Sequence, residues 1–302
     1  MTEFGNIDSS SLTFLEQLRT CWRPQPDKPE ETLENTFRAL YLTAAGMPVS
    51  ARKAIGLDLP KLSPDQCGTL ETLVRQRCSG TPLAHITGRQ NFMGIEMLAG
   101  PEALIPRLET EILGNEALKL SSMIADRLGA VTILDVCTGC GNIPLALAVR
   151  ESRCRAFGSD ISADAVRLAT QNALHLGMER RVEFRCGDLF EAFNTEEFLG
   201  KCDIVTCNPP YIPTQKVSAM DPEISQHEPR LAFDGGSLGI SIVSKLIRDV
   251  PNFLKPDSYL CFEVGLGQAN AFGRMLKKAT AFREVRELAD SNGQIRVLVA
   301  RT

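Results

Sequence analysis

The chain has 302 residues, 43% of them hydrophobic and 23% charged, with a formal net charge of −4. That length is long for one domain and comfortable for two. The acidic balance supplies no global attraction to nucleic acid, no apolar run approaches the roughly 20 residues that span a bilayer, and Met1–Gly5 lacks the basic-then-apolar order of a secretion signal, so a cytoplasmic protein is expected.

A helical run from Leu12 to Trp22 comes first, then a proline break at Pro24, Pro26 and Pro29. Residues 30–45 carry Leu33, Phe37, Leu40 and Tyr41 at helical spacing. Ser63 and Pro64 are the residue types of an N-cap and a first helical position, and the helix they start is expected to reach Arg77. Residues 1–79 therefore read as a small all-helical domain. Over 80–105 glycines alternate with β-type residues, as in Phe92-Met93-Gly94-Ile95, and a β-hairpin linker is expected. A helix over 108–127 follows. From Val131 the rhythm is strand–helix–strand: strands over 131–136, 155–159, 182–186, 203–207 and 259–264, with helices over 143–150, 163–176, 240–253 and 269–280. Repeated βα units imply a doubly wound parallel sheet over 106–302. Two last strands, near 282–288 and 294–300, are close enough for a hairpin, so one of them runs antiparallel.

Ten cysteines are many, and those at Cys154, Cys186, Cys202, Cys207 and Cys261 sit in apolar runs, as buried reduced thiols do. Cys137-Thr138-Gly139-Cys140 has C-x-x-C spacing. No second pair or paired histidines completes a zinc set, so no metal is expected. His85, His175 and His227 are isolated and read as structural or surface residues.

The most telling stretch is 203–211, where a strand-like run ends in Asn208-Pro209-Pro210-Tyr211. Adjacent prolines stiffen the backbone and remove two N–H donors. Carbonyl acceptors are left beside a carboxamide and an aromatic ring. That set suits a planar NH₂ group, whose hydrogens need acceptors and whose face accepts a ring.

The tetrapeptide resembles the N/D-P-P-Y/F motif of class I methyltransferases that act on amide or exocyclic amino nitrogens. Upstream, Leu104-Ile105-Pro106-Arg107-Leu108-Glu109-Thr110-Glu111 resembles the LIPRPETE segment of the HemK/PrmC family. Gly80-Thr81-Pro82-Leu83, Phe92-Met93-Gly94, the glycine loop after Val136 and Glu228-Pro229 extend the match. The resemblance implies a class I, Rossmann-like fold with a mostly parallel seven-stranded sheet and a small helical N-terminal domain for substrate recognition. It implies S-adenosyl-L-methionine (SAM) as cofactor and N5-methylation of a glutamine. The partner would be a peptide-chain release factor presenting a Gly-Gly-Gln loop, with no direct nucleic-acid or membrane partner.

In open α/β sheets, ligands bind beyond the carboxyl ends of strands where strand order reverses. Asp135, Cys137, Thr138, Gly139, Cys140 and Gly141 are expected there, with Gly139 and Gly141 permitting close backbone approach. A dinucleotide fingerprint would place a third glycine where Pro144 stands. SAM has no phosphate and needs none. Asp160, ending the second strand of the repeat, is placed to accept from both ribose hydroxyls. Asp188 is placed to accept from the adenine amino group, beside Leu189. Three positions depart from the family pattern: Cys137 replaces a glycine, Leu189 an aromatic and Leu108 a proline.

An amide nitrogen is a poor nucleophile, so the protein must chiefly align it with the S–CH₃ bond. The Asn208 oxygen and the Pro209 carbonyl would accept its two N–H groups, and these bonds strengthen as positive charge develops. Tyr211, with Pro210 beside it, and Phe92 would sandwich the planar group. The segment 220–233, carrying Glu228, is expected to cover the acceptor, and Arg107, Glu109 and Glu111 to contact a polypeptide. The favoured reading is a glutamine N-methyltransferase. Its rivals are an N-methyltransferase of a small amide, amine or guanidine, and an adenine N6-methyltransferase of DNA or RNA.

Overall fold

The computed structural model describes residues 9–237 and 239–302. The Met1–Gly5 reading lies outside them. The chain divides into two compact units.

The first unit holds the described residues up to Pro101, with Ile105–Arg107 and Asp221–Glu228. Helices α1 (Ser9–Cys21), α2 (Leu33–Ala44), α3 (Ala51–Ala54) and α4 (Pro64–Cys78) pack around Leu18, Phe37, Leu40, Tyr41, Leu70 and Val74. Thr32 caps α2 by accepting from the Asn35 N–H, and Ser63 with Gln66 forms a reciprocal capping box on α4. Cys21 of α1 and Cys78 of α4 are joined by a disulfide, which the reading of reduced thiols did not foresee. Residues 80–105 are not hairpin throughout. A short helix, α5 (Leu83–Thr87), precedes the antiparallel pair β1 (Arg89–Phe92) and β2 (Ile95–Leu98). Pro82 pre-sets its start and Gly88, at φ 66°, ends it.

The second unit starts with α6 (Thr110–Leu128) and then alternates β3 (Val131–Val136), α7 (Asn142–Arg150), β4 (Cys154–Asp160), α8 (Ala163–His175) and β5 (Val182–Cys186). After β6 (Cys202–Cys207) come two short helices, α9 (Thr214–Val217) and α10 (Pro222–His227), the latter counted with the first unit. Then follow α11 (Ser241–Asp249), β7 (Leu254–Glu263), α12 (Ala269–Lys278), β8 (Glu284–Ala289) and β9 (Ile295–Arg301). α11 is shorter than its apolar pattern predicted. Pro251 lacks an N–H, and the chain tightens into a 3₁₀ turn over Val250–Asn252.

The seven strands lie in the order β5-β4-β3-β6-β7-β9-β8. All neighbours are parallel except β9, which slots antiparallel between β7 and β8. The chain builds outward from β3 through β4 to β5, then returns to place β6 on the other side of β3. Strand order reverses there, so a crevice opens at the carboxyl ends of β3 and β6. The core beneath it is aromatic: Phe157 meets Phe198 edge-on at 4.8 Å, and Phe190 stacks on Phe253 at 4.5 Å. Cys154, Cys202, Cys207 and Cys261 are buried as expected, but Cys186 is exposed. It is the last residue of the edge strand β5, with no strand beyond to cover it.

Candidate active site

The loop after β3 is built around a buried carboxylate. Asp135 accepts the Thr138 hydroxyl on one oxygen and the Thr206 hydroxyl on the other, both at 2.6 Å. These bonds tie the loop to the end of β3 and to β6. Burial pushes the Asp135 carboxyl up to about 7, and the two hydroxyls oppose that rise. Both its oxygens are engaged, so it shapes the loop from beneath.

Asp160, at the end of β4, faces the same loop. It accepts the Gly139 N–H and the Ser162 N–H, each at 2.9 Å and on different oxygens. Burial raises this carboxyl too, against the N–H groups of Ser162, Gly139 and Ile161. Gly141 sits at φ +80°, and a Cβ there would lie 2.6 Å from the Phe184 ring, so the position needs glycine twice over. Cys137 holds φ 58° and Leu189 φ 51°, left-handed conformations that side chains rarely adopt. Cys137 thus keeps the backbone form that glycine adopts easily. Burial pushes the Cys140 thiol up to about 12 and the Cys207 thiol well above its usual range, so both are poor nucleophiles.

Asp188 follows β5, and one oxygen accepts from the Lys245 ammonium at 2.6 Å. The neighbouring Leu189 is buried, its carbonyl taken by the Ser159 hydroxyl.

The tetrapeptide leaves β6 into this crevice. The Asn208 Nδ2 group donates to Thr110 Oγ1 at 3.1 Å, and Thr110 Oγ1 donates to Glu263 Oε2 at 2.7 Å. The Tyr211 hydroxyl donates to Glu263 Oε1 at 3.1 Å. Burial, then Glu263, raises the Tyr211 phenol, so it stays protonated and donating. Gln268 Nε2 donates to the Tyr211 carbonyl at 3.0 Å while its Oε1 accepts the Gly265 N–H. A Cβ on Gly235 would lie 2.6 Å from the Pro210 carbonyl, and one on Gly239 would strike the Tyr211 carbonyl. The turn is therefore clasped by backbone on one side and by Thr110, Glu263 and Gln268 on the other.

Residues 129–297 match the family described as a methyltransferase domain. The chain is 35% identical over 247 residues to the release factor glutamine methyltransferase of Geobacter sulfurreducens, covering 82% of each protein. It is 33% identical to that of Caulobacter vibrioides, covering 79% of this chain and 80% of the relative. The chain belongs to the release factor glutamine methyltransferase family. Among solved structures, the human methyltransferase 10 domain containing protein matches with a TM-score of 0.50 at 15% identity, over 68% of this chain and 88% of that one, a likeness of fold.

The cofactor that this methyltransferase fold implies is SAM, and the residues present fit it. The Asp160 carboxylate keeps acceptor capacity beyond its two N–H bonds, as ribose hydroxyls require. Two carboxyl groups, Asp135 and Asp160, hold this loop through Thr138 and the Gly139 N–H. An acidic surround favours a sulfonium cation and repels a pyrophosphate.

Other predicted residues belong to the first unit. Phe92 is buried at the end of β1. Arg107 pairs with Glu228 at 2.5 Å and Asp27 at 3.3 Å, and Glu228 also accepts the Ile105 N–H. In the segment expected to cover the acceptor, Glu223 is buried between Lys28 at 3.1 Å and Arg77 at 2.8 Å. These charges are occupied with one another within their own unit.

Sequence reasoning passed over Thr110, Glu263, Gln268, Gly235 and Gly239. Thr110 lies inside the segment 104–111 that carried the family resemblance, and Glu263 ends a strand as Asp160 does. Those placements were the available signals.

Proposed function

We propose that this chain transfers the methyl group of SAM to the side-chain amide nitrogen of a glutamine presented by a peptide-chain release factor. The observation that carries the reading is the Asn208–Tyr211 turn at the strand-order switch, beside the Asp160 loop. When bound, SAM supplies a methyl made electrophilic by its sulfonium. Asn208 and the Pro209 carbonyl offer the acceptors for the two amide hydrogens, and the Tyr211 ring offers a flat face. No strong base is needed, because the methylated amide cation is very acidic and loses its proton to water. The poor thiolates at Cys140 and Cys207 agree with direct transfer. Asp160 would hold the ribose, with Asp188 and Leu189 at the adenine.

The names of the relatives supply the acceptor class in this reading. Residues 1–79 would select the release factor, 80–105 would link, and 106–302 would transfer the methyl. With a release factor as substrate, the enzyme would act in the cytoplasm.

The test is a methylation assay with labelled SAM on a release factor, its Gln→Ala variant in the Gly-Gly-Gln loop, and duplex and single-stranded DNA. Label should enter only the unaltered release factor. Label in DNA, or equal label in the Gln→Ala protein, refutes the reading.

A further inference from the structure

We propose that Glu263 is a positioning residue that sets, through the Thr110 hydroxyl, which end of the Asn208 carboxamide faces the methyl acceptor. The inference rests on the reading of Asn208 above and names what orients it.

A carboxamide is nearly symmetric in shape. Its oxygen and its NH₂ group occupy similar space, so packing alone does not choose between them. The choice matters here. An oxygen turned to the acceptor takes an N–H from the substrate amide, whereas an NH₂ group would oppose it donor to donor. Hydrogen-bond polarity must therefore decide the orientation, and a chain of three groups does so.

The chain starts at Glu263, which is 2% exposed at the carboxyl end of β7. Burial raises this carboxyl, and the Thr110 hydroxyl, the Arg296 guanidinium 3.8 Å from Oε1 and the Tyr211 hydroxyl oppose that rise. With one hydroxyl donating to Oε2 and another to Oε1, Glu263 is the acceptor on both sides. Thr110 has one hydroxyl hydrogen, and at 2.7 Å from Oε2 that hydrogen is committed to Glu263. The Thr110 oxygen can then only accept from its remaining neighbour. The Asn208 atom 3.1 Å away must be the donor Nδ2. The reverse orientation would set two acceptor oxygens against each other at that distance. Oδ1 is thereby left to accept from the substrate amide.

The second carboxylate oxygen does a parallel job. It accepts the Tyr211 hydroxyl at 3.1 Å, which fixes the ring at the far end of the same turn. One buried carboxylate thus sets both the amide and the aromatic of the tetrapeptide. Thr110 opens α6 and Glu263 closes β7, so two elements distant in sequence meet behind the turn.

The experiment compares Thr110→Val, which keeps shape and loses the hydroxyl, with Thr110→Ser, which keeps the hydroxyl, and Glu263→Gln, which keeps shape and introduces an NH₂ donor. Each is read two ways on the full-length protein. First, side-chain ¹⁵N NMR follows the Asn208 NH₂ group without any acceptor present. One protected, hydrogen-bonded Asn208 proton is expected in the wild type and in Thr110→Ser, and its protection is lost in Thr110→Val and Glu263→Gln. Second, steady-state methylation should show kcat down about 10- to 100-fold in Thr110→Val and Glu263→Gln. Affinity for S-adenosylhomocysteine, by calorimetry, should hold, and Thr110→Ser should recover most of the lost turnover. Undiminished Asn208 protection in Thr110→Val overturns the inference, as does a Thr110→Ser variant as damaged as Thr110→Val. A wild type that leaves release factor unmodified defeats the acceptor assignment instead, and the NMR comparison still decides the orientation.

Discussion

Asp160→Asn separates charge and acceptor count from shape at the cofactor loop. The two side chains are nearly isosteric, so packing is preserved. In the wild type one oxygen accepts the Ser162 N–H and the other the Gly139 N–H, each at 2.9 Å. An asparagine has one oxygen, so one of these N–H groups must face an NH₂ donor. The remaining oxygen has room for a single ribose hydroxyl. Losing a hydrogen bond to a charged, part-buried acceptor costs about 1–3 kcal/mol. Affinity for S-adenosylhomocysteine should therefore fall about 5- to 150-fold. Calorimetry on wild type and variant measures this directly, and the demethylated product avoids turnover during the titration. NAD serves as the control and should not bind either protein. Binding within twofold of wild type, alongside a lowered melting temperature, would mean that Asp160 only closes the loop. The ribose role would then be refuted.

Gly239→Ala should leave S-adenosylhomocysteine binding intact and lower kcat at least about tenfold, because φ +65° strains an alanine and its Cβ strikes the Tyr211 carbonyl; unchanged kcat would show that the clasp is dispensable. Glu31 is buried, and desolvation raises its carboxyl from 4.5 to about 7, against the pull of Lys28 and Arg77. Between those values the unfolded chain releases its proton while the folded chain holds it, so this group makes stability fall as pH rises, by on the order of 3 kcal/mol in all. Glu31→Gln should flatten that slope, followed by the fluorescence of Trp22, the single tryptophan, whose indole N–H donates to the Glu31 carbonyl; identical pH slopes would exclude a raised Glu31. Deleting residues 1–79 should leave a fragment that binds S-adenosylhomocysteine, with Glu223→Gln included because the fragment lacks Lys28 and Arg77. A folded fragment without binding would show that the helical region is needed at the cofactor site.

The strands of the parallel sheet were legible because each is a short, continuous apolar run bounded by turn residues. β3 and β5 fall on the predicted bounds, and α4 starts at the predicted Ser63 cap. The residues proposed for cofactor and acceptor share one place in the fold for a related reason. Asp135 and Asp160 lie in the last residues of their strands and Gly139, Gly141 and Asn208 just beyond strand ends, and a parallel sheet brings strand ends to one rim. Pairing across long sequence separations was not legible. The insertion of β9 between β7 and β8, the Glu223 ion cluster and the Cys21–Cys78 bond join residues that no local pattern relates. The same holds for the Glu263–Thr110–Asn208 relay, whose members lie 153 and 98 residues apart. Local sequence determined the elements and placed chemical groups at their ends. Which donor meets which acceptor was decided only when the sheet brought β6, β7 and the start of α6 together, because a hydrogen bond acts over about 3 Å whatever the separation along the chain.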